Sequence, residues 1–429
     1  AETMPRYQLC SPPPGTLTRV HGLPVAVAGS DDGGGGRQNE EPFKEAAPAL
    51  AYYSTHGDIL GSFNTTNIRA AVVIIHGMGR NADDYFCSGT SAASLQTNYD
   101  PLSVLVVAPR FLDPSDGQVI LTTDDVLPMR WGGNGDKFGA WRYGADATSP
   151  PPAAGISSFD AMDRLASALG DTNRFPNLER IAVAGHSSGG QFVQRWALLS
   201  GIEMWERRRS RHRLRAASSR TMTERPAPPK IRAVVGNPSS YAYLDGRRFF
   251  DDGTFRTPSS EEEDSCPGYN RWEWGLDPGG GEIMAAPYKD RAIEEVGGPA
   301  SLAERFADRD VIYLNGGRDR CNVAGLDRTG WCYSHGLEAS CGDAMEGEQR
   351  LDRGEKYYRS LRMYFGRRVH SRAVVEGVGH DHSLMWESSV GLSALFDDDF
   401  SDSYGESSQL ETHSGRIVYD SMDRQHDVA

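Results

Sequence analysis

Arg180-Ile181-Ala182-Val183-Ala184-Gly185-His186-Ser187-Ser188-Gly189-Gly190 is the stretch whose reading decides the fold. An apolar run of strand length enters a G-x-S-x-G pattern and continues into residues at helical spacing, Phe192, Trp196 and Leu199. So abrupt a turn from strand to helix strains its central residue and crowds the positions two before and two after it. Glycine relieves that crowding. Ser187 has Gly185 and Gly189 in those places, whereas Ser188 would have His186 in the first. Ser187 is therefore the candidate nucleophile, and the Ser188 backbone N–H is a candidate oxyanion donor. The alternative is a glycine-rich turn without chemistry, and the flanking strand and helix argue against it.

Outward from this turn, short buried strands alternate with helices, which is the pattern of a parallel sheet. Strands are expected at Ala71–Ile75, Leu105–Pro109, Ile181–Ala184, Ile231–Val235, Val311–Leu314 and Ala373–Val378. Ser158–Gly170 reads as a helix with Phe159, Met162, Leu165 and Leu169 on one face, and a last helix begins near Ser383 and includes Gly391–Phe396.

A serine hydroxyl is a weak nucleophile and needs a base, with an acid to orient that base. On a sheet of this kind they follow in the order Ser, acid, His, each just past a later strand. Asp319 follows the strand ending in Asn315 through Gly316-Gly317-Arg318, and His380 follows Val378-Gly379. We assign His380 as base and then acid, with Asp319 orienting its ring. His382 is the rival base. Asp327 is a second choice for the acid, and Asp310 precedes its strand and so lies on the wrong side of the sheet. No further ligand cluster accompanies His380-Asp381-His382, so no metal is expected. The other oxyanion donor is expected after Ala71–Ile75, in His76-Gly77-Met78-Gly79-Arg80-Asn81, with the Met78 N–H as the choice.

Two segments interrupt the alternation. Residues 203–230 form a basic insertion crowded with arginines. Residues 237–300 carry Tyr241, Tyr243, Phe249, Phe250, Tyr269, Trp272 and Trp274. Placed beyond a strand's carboxyl end, this second segment reads as a cap over the site, with Tyr241 and Trp272 as candidate substrate contacts. The alternative is that its aromatics pack a side layer. Residues 1–48, rich in Pro and Gly, are expected to be irregular, residues 49–400 to form the catalytic domain, and residues 401–429 to be an acidic flexible tail.

The chain has 429 residues and a net charge of −14, which argues against a nucleic-acid partner. Its longest apolar runs, such as Ala70 to Ile75, are too short to span a bilayer. Six cysteines without a C-x-x-C pair allow three disulfides, with Cys321–Cys332 and Cys266–Cys341 both feasible. The even cysteine count, the glycosylation sequon Asn64-Thr65-Thr66 and a chain that starts at Ala1 together favour secretion. Oligomeric state is not legible.

Over roughly residues 50–400 the chain resembles the α/β-hydrolase superfamily, through His76-Gly77-Met78-Gly79, Gly185-His186-Ser187-Ser188-Gly189, Asp319 and Gly379-His380-Asp381. It looks closest to a sparsely characterised branch of microbial hydrolases. That closer likeness is carried by Gly236-Asn237-Pro238-Ser239-Ser240-Tyr241, Cys266-Pro267-Gly268-Tyr269-Asn270-Arg271-Trp272 and Gly377-Val378-Gly379-His380-Asp381. The resemblance implies an eight-stranded, mostly parallel sheet with helices on both faces, here with the cap inserted after the sixth strand, and no cofactor. The basic insertion and the stretch from Arg320 to Ser340 are longer than the branch would suggest, and the latter adjoins Asp319. The expected activity is hydrolysis of a carboxylic ester, small or polymeric, through an acyl-enzyme. An amidase, peptidase or acyltransferase would use the same three side chains, and a ligand-binding protein on the same fold is the alternative without catalysis.

Overall fold

A computed structural model describes residues 19–25, 46–97, 99–123, 125–132, 140–203, 227–277, 286–321 and 337–400. The basic run 204–226, Asp327, Cys332 and the tail 401–429 lie outside the described residues.

In chain order the strands are β1 (Arg19–Pro24), β2 (Ala47–Ser54), β3 (Ala70–Ile75), β4 (Val104–Arg110), β5 (Ile120–Leu121), β6 (Val126–Pro128), β7 (Arg180–His186), β8 (Lys230–Gly236), β9 (Arg248–Phe249), β10 (Phe255–Arg256), β11 (Asp310–Gly316) and β12 (Ser371–Val375). The helices are α1 (Ala82–Ser94), α2 (Ser158–Leu169), α3 (Ser188–Leu199), α4 (Ser260–Ser265), α5 (Pro287–Glu295), α6 (Pro299–Ala307), α7 (Cys341–Ala344), α8 (Arg350–Phe365), α9 (His382–Glu387) and α10 (Ser389–Phe396).

One sheet runs β12-β11-β8-β7-β3-β4-β2-β1-β5, with β6 paired to β2. The six strands from β12 to β4 are parallel, and β2 is antiparallel to both β4 and β1. Strands buried on both faces read as continuous apolar runs, as Ala70-Ala71-Val72-Val73-Ile74-Ile75 does. Alternate residues feed two cores. Ala71, Val73, Ile75, Ile181, Val183 and Val235 meet Phe159 and Leu165 of α2 and Phe192 and Trp196 of α3. Val72, Ile74, Ala182, Ala184, Val234 and Ile312 meet Tyr85 and Ala92 of α1 and Met385 and Trp386 of α9. This is an α/β-hydrolase fold, its eight main strands extended at one margin by short β5 and β6. From β3 the chain moves outward to β4 and then returns to start β7 on the other flank, with α1 and α2 on opposite faces. That reversal makes the carboxyl ends of β3 and β7 a topological switch point, where open sheets leave a crevice.

The structure corrects several expectations. The segment 1–48 contributes β1, because Val20 and Leu23 are buried when it pairs with β2, a long-range pairing with no local signature. The last strand stops at Val375, where Gly377 takes a left-handed φ of 76°. The last helix is two, with Ser388 ending α9 and its hydroxyl capping the first turn of α10. Of the aromatics of 237–277, Tyr241, Tyr243 and Trp272 join the core on the α2/α3 side, Phe249, Tyr269 and Trp274 are buried, and Phe250 is half-buried. Among the described residues no helix is long and apolar enough to cross a membrane.

Cys266 is bonded to Cys341 across 75 residues, one of the two pairings left open by the sequence. Cys87 and Cys321 are also in disulfides, with partners outside the described residues. Closing a loop of this length removes chain entropy worth about 4 kcal/mol from the unfolded state. The double variant C266S/C341S should therefore melt several degrees below wild type in calorimetry. An unchanged melting temperature would show that the bridge adds nothing to the fold.

Candidate active site

The turn between β7 and α3 has the conformation its glycines allow. Ser187 sits at φ 60°, ψ −123°, a region that non-glycine residues rarely occupy. Its N–H donates to the Gly236 carbonyl (2.9 Å), and its own carbonyl accepts from Gln191 N–H (3.0 Å). A Cβ on Gly189 would fall 2.3 Å from the Ile75 carbonyl oxygen, so β3 and the first turn of α3 touch with no side chain between them.

Asp319 and His380 leave the carboxyl ends of β11 and β12 and meet, with Asp319 Oδ2 2.6 Å from His380 Nδ1 and both side chains nearly buried. The His380 ring lies 4.5 Å, centre to centre, from that of His186, the residue before Ser187. Arg350 of α8 stands 3.6 Å from Asp319 Oδ1 and donates to Ser239 Oγ (3.1 Å). The rival His382 faces elsewhere. It stacks on Tyr85 at 4.0 Å, with Nδ1 3.0 Å from Ser88 Oγ of α1. Asp310 lies at the opposite end of β11, paired with Arg232 at 2.6 Å.

The loop after β3 stands against the serine, since a Cβ on Gly77 would lie 3.7 Å from Ser187 Cβ. Neither Met78 N–H nor Ser188 N–H donates to any acceptor among the described residues. Both are groups that an oxyanion could satisfy. His76, for which the sequence suggested no role, fixes the first of them. Phe111 N–H donates to its Nε2 (3.0 Å), so the proton sits on Nδ1 and is donated to the Gly77 carbonyl (2.8 Å). That carbonyl belongs to the peptide whose N–H is Met78's.

No protein-family model matches the chain, and no curated protein does. Among solved structures it is similar to LpqC, a poly(3-hydroxybutyrate) depolymerase from Bordetella parapertussis, at 19% identity over 83% of this chain and 87% of that one, with a TM-score of 0.42. It is also similar to poly(aspartic acid) hydrolase-1 from Sphingomonas sp. KT-1, at 17% identity over 86% and 96%, TM-score 0.42. A third is the siderophore hydrolase EstB from Aspergillus nidulans, at 14% identity over 82% and 90%, TM-score 0.33. Likeness this distant transfers no substrate.

A polar cluster lies one turn along α3 from the serine. Arg142 donates to Gln191 Oε1 (3.2 Å), one helical turn beyond Ser187, and to the sulfur of Met78 (3.3 Å), and it pairs with Glu338. Gln191 Nε2 in turn donates to Glu338 (3.0 Å). None of these three residues was singled out by sequence, where an arginine outside any motif carries no signal. Tyr241 and Trp272, expected to touch substrate, do not line this space. Tyr241 is fully buried and stacked on Tyr357 at 4.4 Å, and Trp272 donates its ring N–H to the Tyr143 carbonyl (2.8 Å).

Burial lowers His76 to about 4 and holds His186 well below the ordinary histidine range, so both rings are neutral at working pH. For His76 the folded value lies below the unfolded 6.5. Its stabilising share is therefore complete above 6.5 and is lost as pH falls toward 4, roughly 3 kcal/mol over that window. Buried Asp163, pushed up to about 6, has the opposite sign over much of the same range, so overall stability does not isolate the effect. The ring proton resonances of His76 should instead titrate with a midpoint near pH 4. A midpoint near 6.5 would contradict its burial and its hold on the Gly77 carbonyl.

Proposed function

We propose that the protein is a serine hydrolase cleaving a carboxylic ester through an acyl-enzyme. The observation that carries this reading is the 2.6 Å Asp319–His380 pair beside a strained serine at a strand–helix elbow. In the proposed reaction His380 Nε2 takes the Ser187 proton as Oγ adds to the ester carbonyl. Asp319 accepts the hydrogen bond from Nδ1–H, which stays on the ring, and offsets the imidazolium charge. The Met78 and Ser188 N–H groups receive the developing oxyanion, and losing one such donor typically costs about 10²–10³ in rate. His380 then protonates the departing alcohol, and water, activated by the same ring, releases the acid. Side chains and backbone supply every step.

The polar groups one turn from Ser187 favour a short or hydroxylated ester over a long alkyl chain, whose burial against Arg142, Gln191 and Glu338 would desolvate charge without compensation. We further read the protein as exported, on the strength of its disulfides and of Asn64, which is exposed as a glycosylation acceptor must be.

In a p-nitrophenyl ester series, acetate and butyrate should be turned over and palmitate should not. Ser187→Ala should abolish turnover, and Asp319→Asn should lower kcat by about 10⁴ with the fold intact. A wild-type protein that neither cleaves any ester nor labels with a fluorophosphonate would leave the fold as a ligand-binding scaffold.

A further inference from the structure

Gly236-Asn237, at the end of β8, touches the backbone of all three loops that deliver Ser187, Asp319 and His380. Gly236 carbonyl accepts from Ser187 N–H at 2.9 Å. Asn237 Oδ1 accepts from Gly316 N–H (2.7 Å), three residues before Asp319. Asn237 Nδ2 donates to the Gly379 carbonyl (3.1 Å), in the peptide bond to His380, and lies 3.3 Å from His186 Nε2. Asn237 is fully buried, and its φ of 43° is one that asparagine tolerates better than other side chains. Its own N–H donates to the Leu314 carbonyl (3.0 Å), so its backbone is tied to β11 as well.

We propose that Asn237 is a positioning residue, an amide clasp that holds the acid loop and the base loop at one spacing beneath the serine elbow. The chemistry requires an amide, because one side must accept and the other donate. An aspartate supplies a second acceptor against the Gly379 carbonyl, and a leucine supplies neither function. The two loops already touch, since a Cβ on Gly316 would lie 2.5 Å from the Val378 carbonyl oxygen and 2.6 Å from that of Gly379. They are also joined directly, Arg318 N–H donating to the Val378 carbonyl (2.9 Å) and Gly317 N–H to the Val375 carbonyl (3.0 Å), and the amide adds the tie that sets both against β8 and the elbow. Misplacing a reacting group by about 1 Å costs about 10² in rate. This inference rests on the hydrolase reading for its rate effect and on geometry alone for its effect on the Asp319–His380 bond.

The test is Asn237→Gly, which accommodates the backbone and removes only the amide. We expect kcat on p-nitrophenyl acetate to fall about 10²-fold with KM within threefold of wild type, and fluorophosphonate labelling of Ser187 to slow in proportion. The downfield His380 Nδ1 proton, a signature of the short bond to Asp319, should broaden or disappear while the folded spectrum persists. A kcat within threefold of wild type, or an unchanged Nδ1 proton, overturns the clasp. A wild type without turnover or label sinks the hydrolase reading instead, and the Nδ1 proton still decides the clasp. Should Asn237→Gly fail to fold, Asn237→Asp takes its place. Its kcat relative to wild type should fall as pH rises and the carboxyl, facing His186 and the Gly379 carbonyl, ionises. A ratio of one at every pH overturns the proposal.

Discussion

The close approach of β3 to the first turn of α3 is the constraint on which the rest of the site depends. At Gly189 a Cβ would meet the Ile75 and His76 carbonyl oxygens at 2.3 and 2.6 Å, and at Gly185 it would meet the Gly189 carbonyl oxygen at 2.2 Å. These are contacts with backbone, which cannot rotate away. With no side chain between them, the loop after β3 and the strand–helix elbow are in fixed register, and Gly77 of that loop stands against Ser187. The left-handed φ of Ser187 costs on the order of 1–3 kcal/mol. Such strain survives only where the surroundings over-determine it. Here the Gly236 carbonyl holds the serine from one side and the α3 ladder from the other, while two apolar layers hold β7.

Charge around the elbow is arranged to keep most groups silent. His76 and His186 are buried and neutral, so each ring nitrogen has a set role as donor or acceptor. His76 spends its one proton on the Gly77 carbonyl. His186 accepts from Asn237 at Nε2, and its Nδ1 lies 3.3 Å from the Tyr85 hydroxyl. His382 has its Nδ1 at Ser88 and its face against Tyr85. His380 differs from these rings in that its Nδ1 meets a carboxylate, that of Asp319, whereas the Nδ1 atoms of His76, His186 and His382 face a carbonyl or hydroxyls.

Much of this was legible in the sequence, because the signals are local. Apolar runs marked β3, β4, β7, β8, β11 and β12, and the glycines and polar residues after β7, β11 and β12 marked the loops that carry Ser187, Asp319 and His380. What escaped was set by distant partners. The strand β1 is apolar at only two buried positions and is defined by pairing with β2. The helix α1 buries Ser88, Gly89, Ser91 and Ala92, small residues that let it lie close on β4 but show no apolar stripe. Tyr241 and Trp272 were misread because aromatic content in an insertion looks the same whether it faces a ligand or the core. Asn237 lay inside a quoted motif, yet its role appears only when three loops far apart in sequence converge on one amide.

The support beneath Asp319 is polar, and its cost is informative. Arg350 donates to Ser239 Oγ, Arg353 to the Ser239 carbonyl, and Tyr241 N–H to the Glu346 carboxylate at 2.9 Å, all in buried surroundings. Burial drives Arg350 below its ordinary value and Glu346 well above its own, which measures how unfavourable this environment is to charge. Apolar side chains of similar volume would hold the exit of β8 against α8 at least as firmly. They would not orient it in the same way, because dispersion has no preferred direction whereas a hydrogen bond weakens steeply as its angle closes. The Cys266–Cys341 bridge limits the same joint covalently, and Arg350 ends 3.6 Å from the Asp319 carboxylate. The polar joint therefore favours a set placement of the Asp319 loop against His380 over stability, which the apolar cores on either face of the sheet supply.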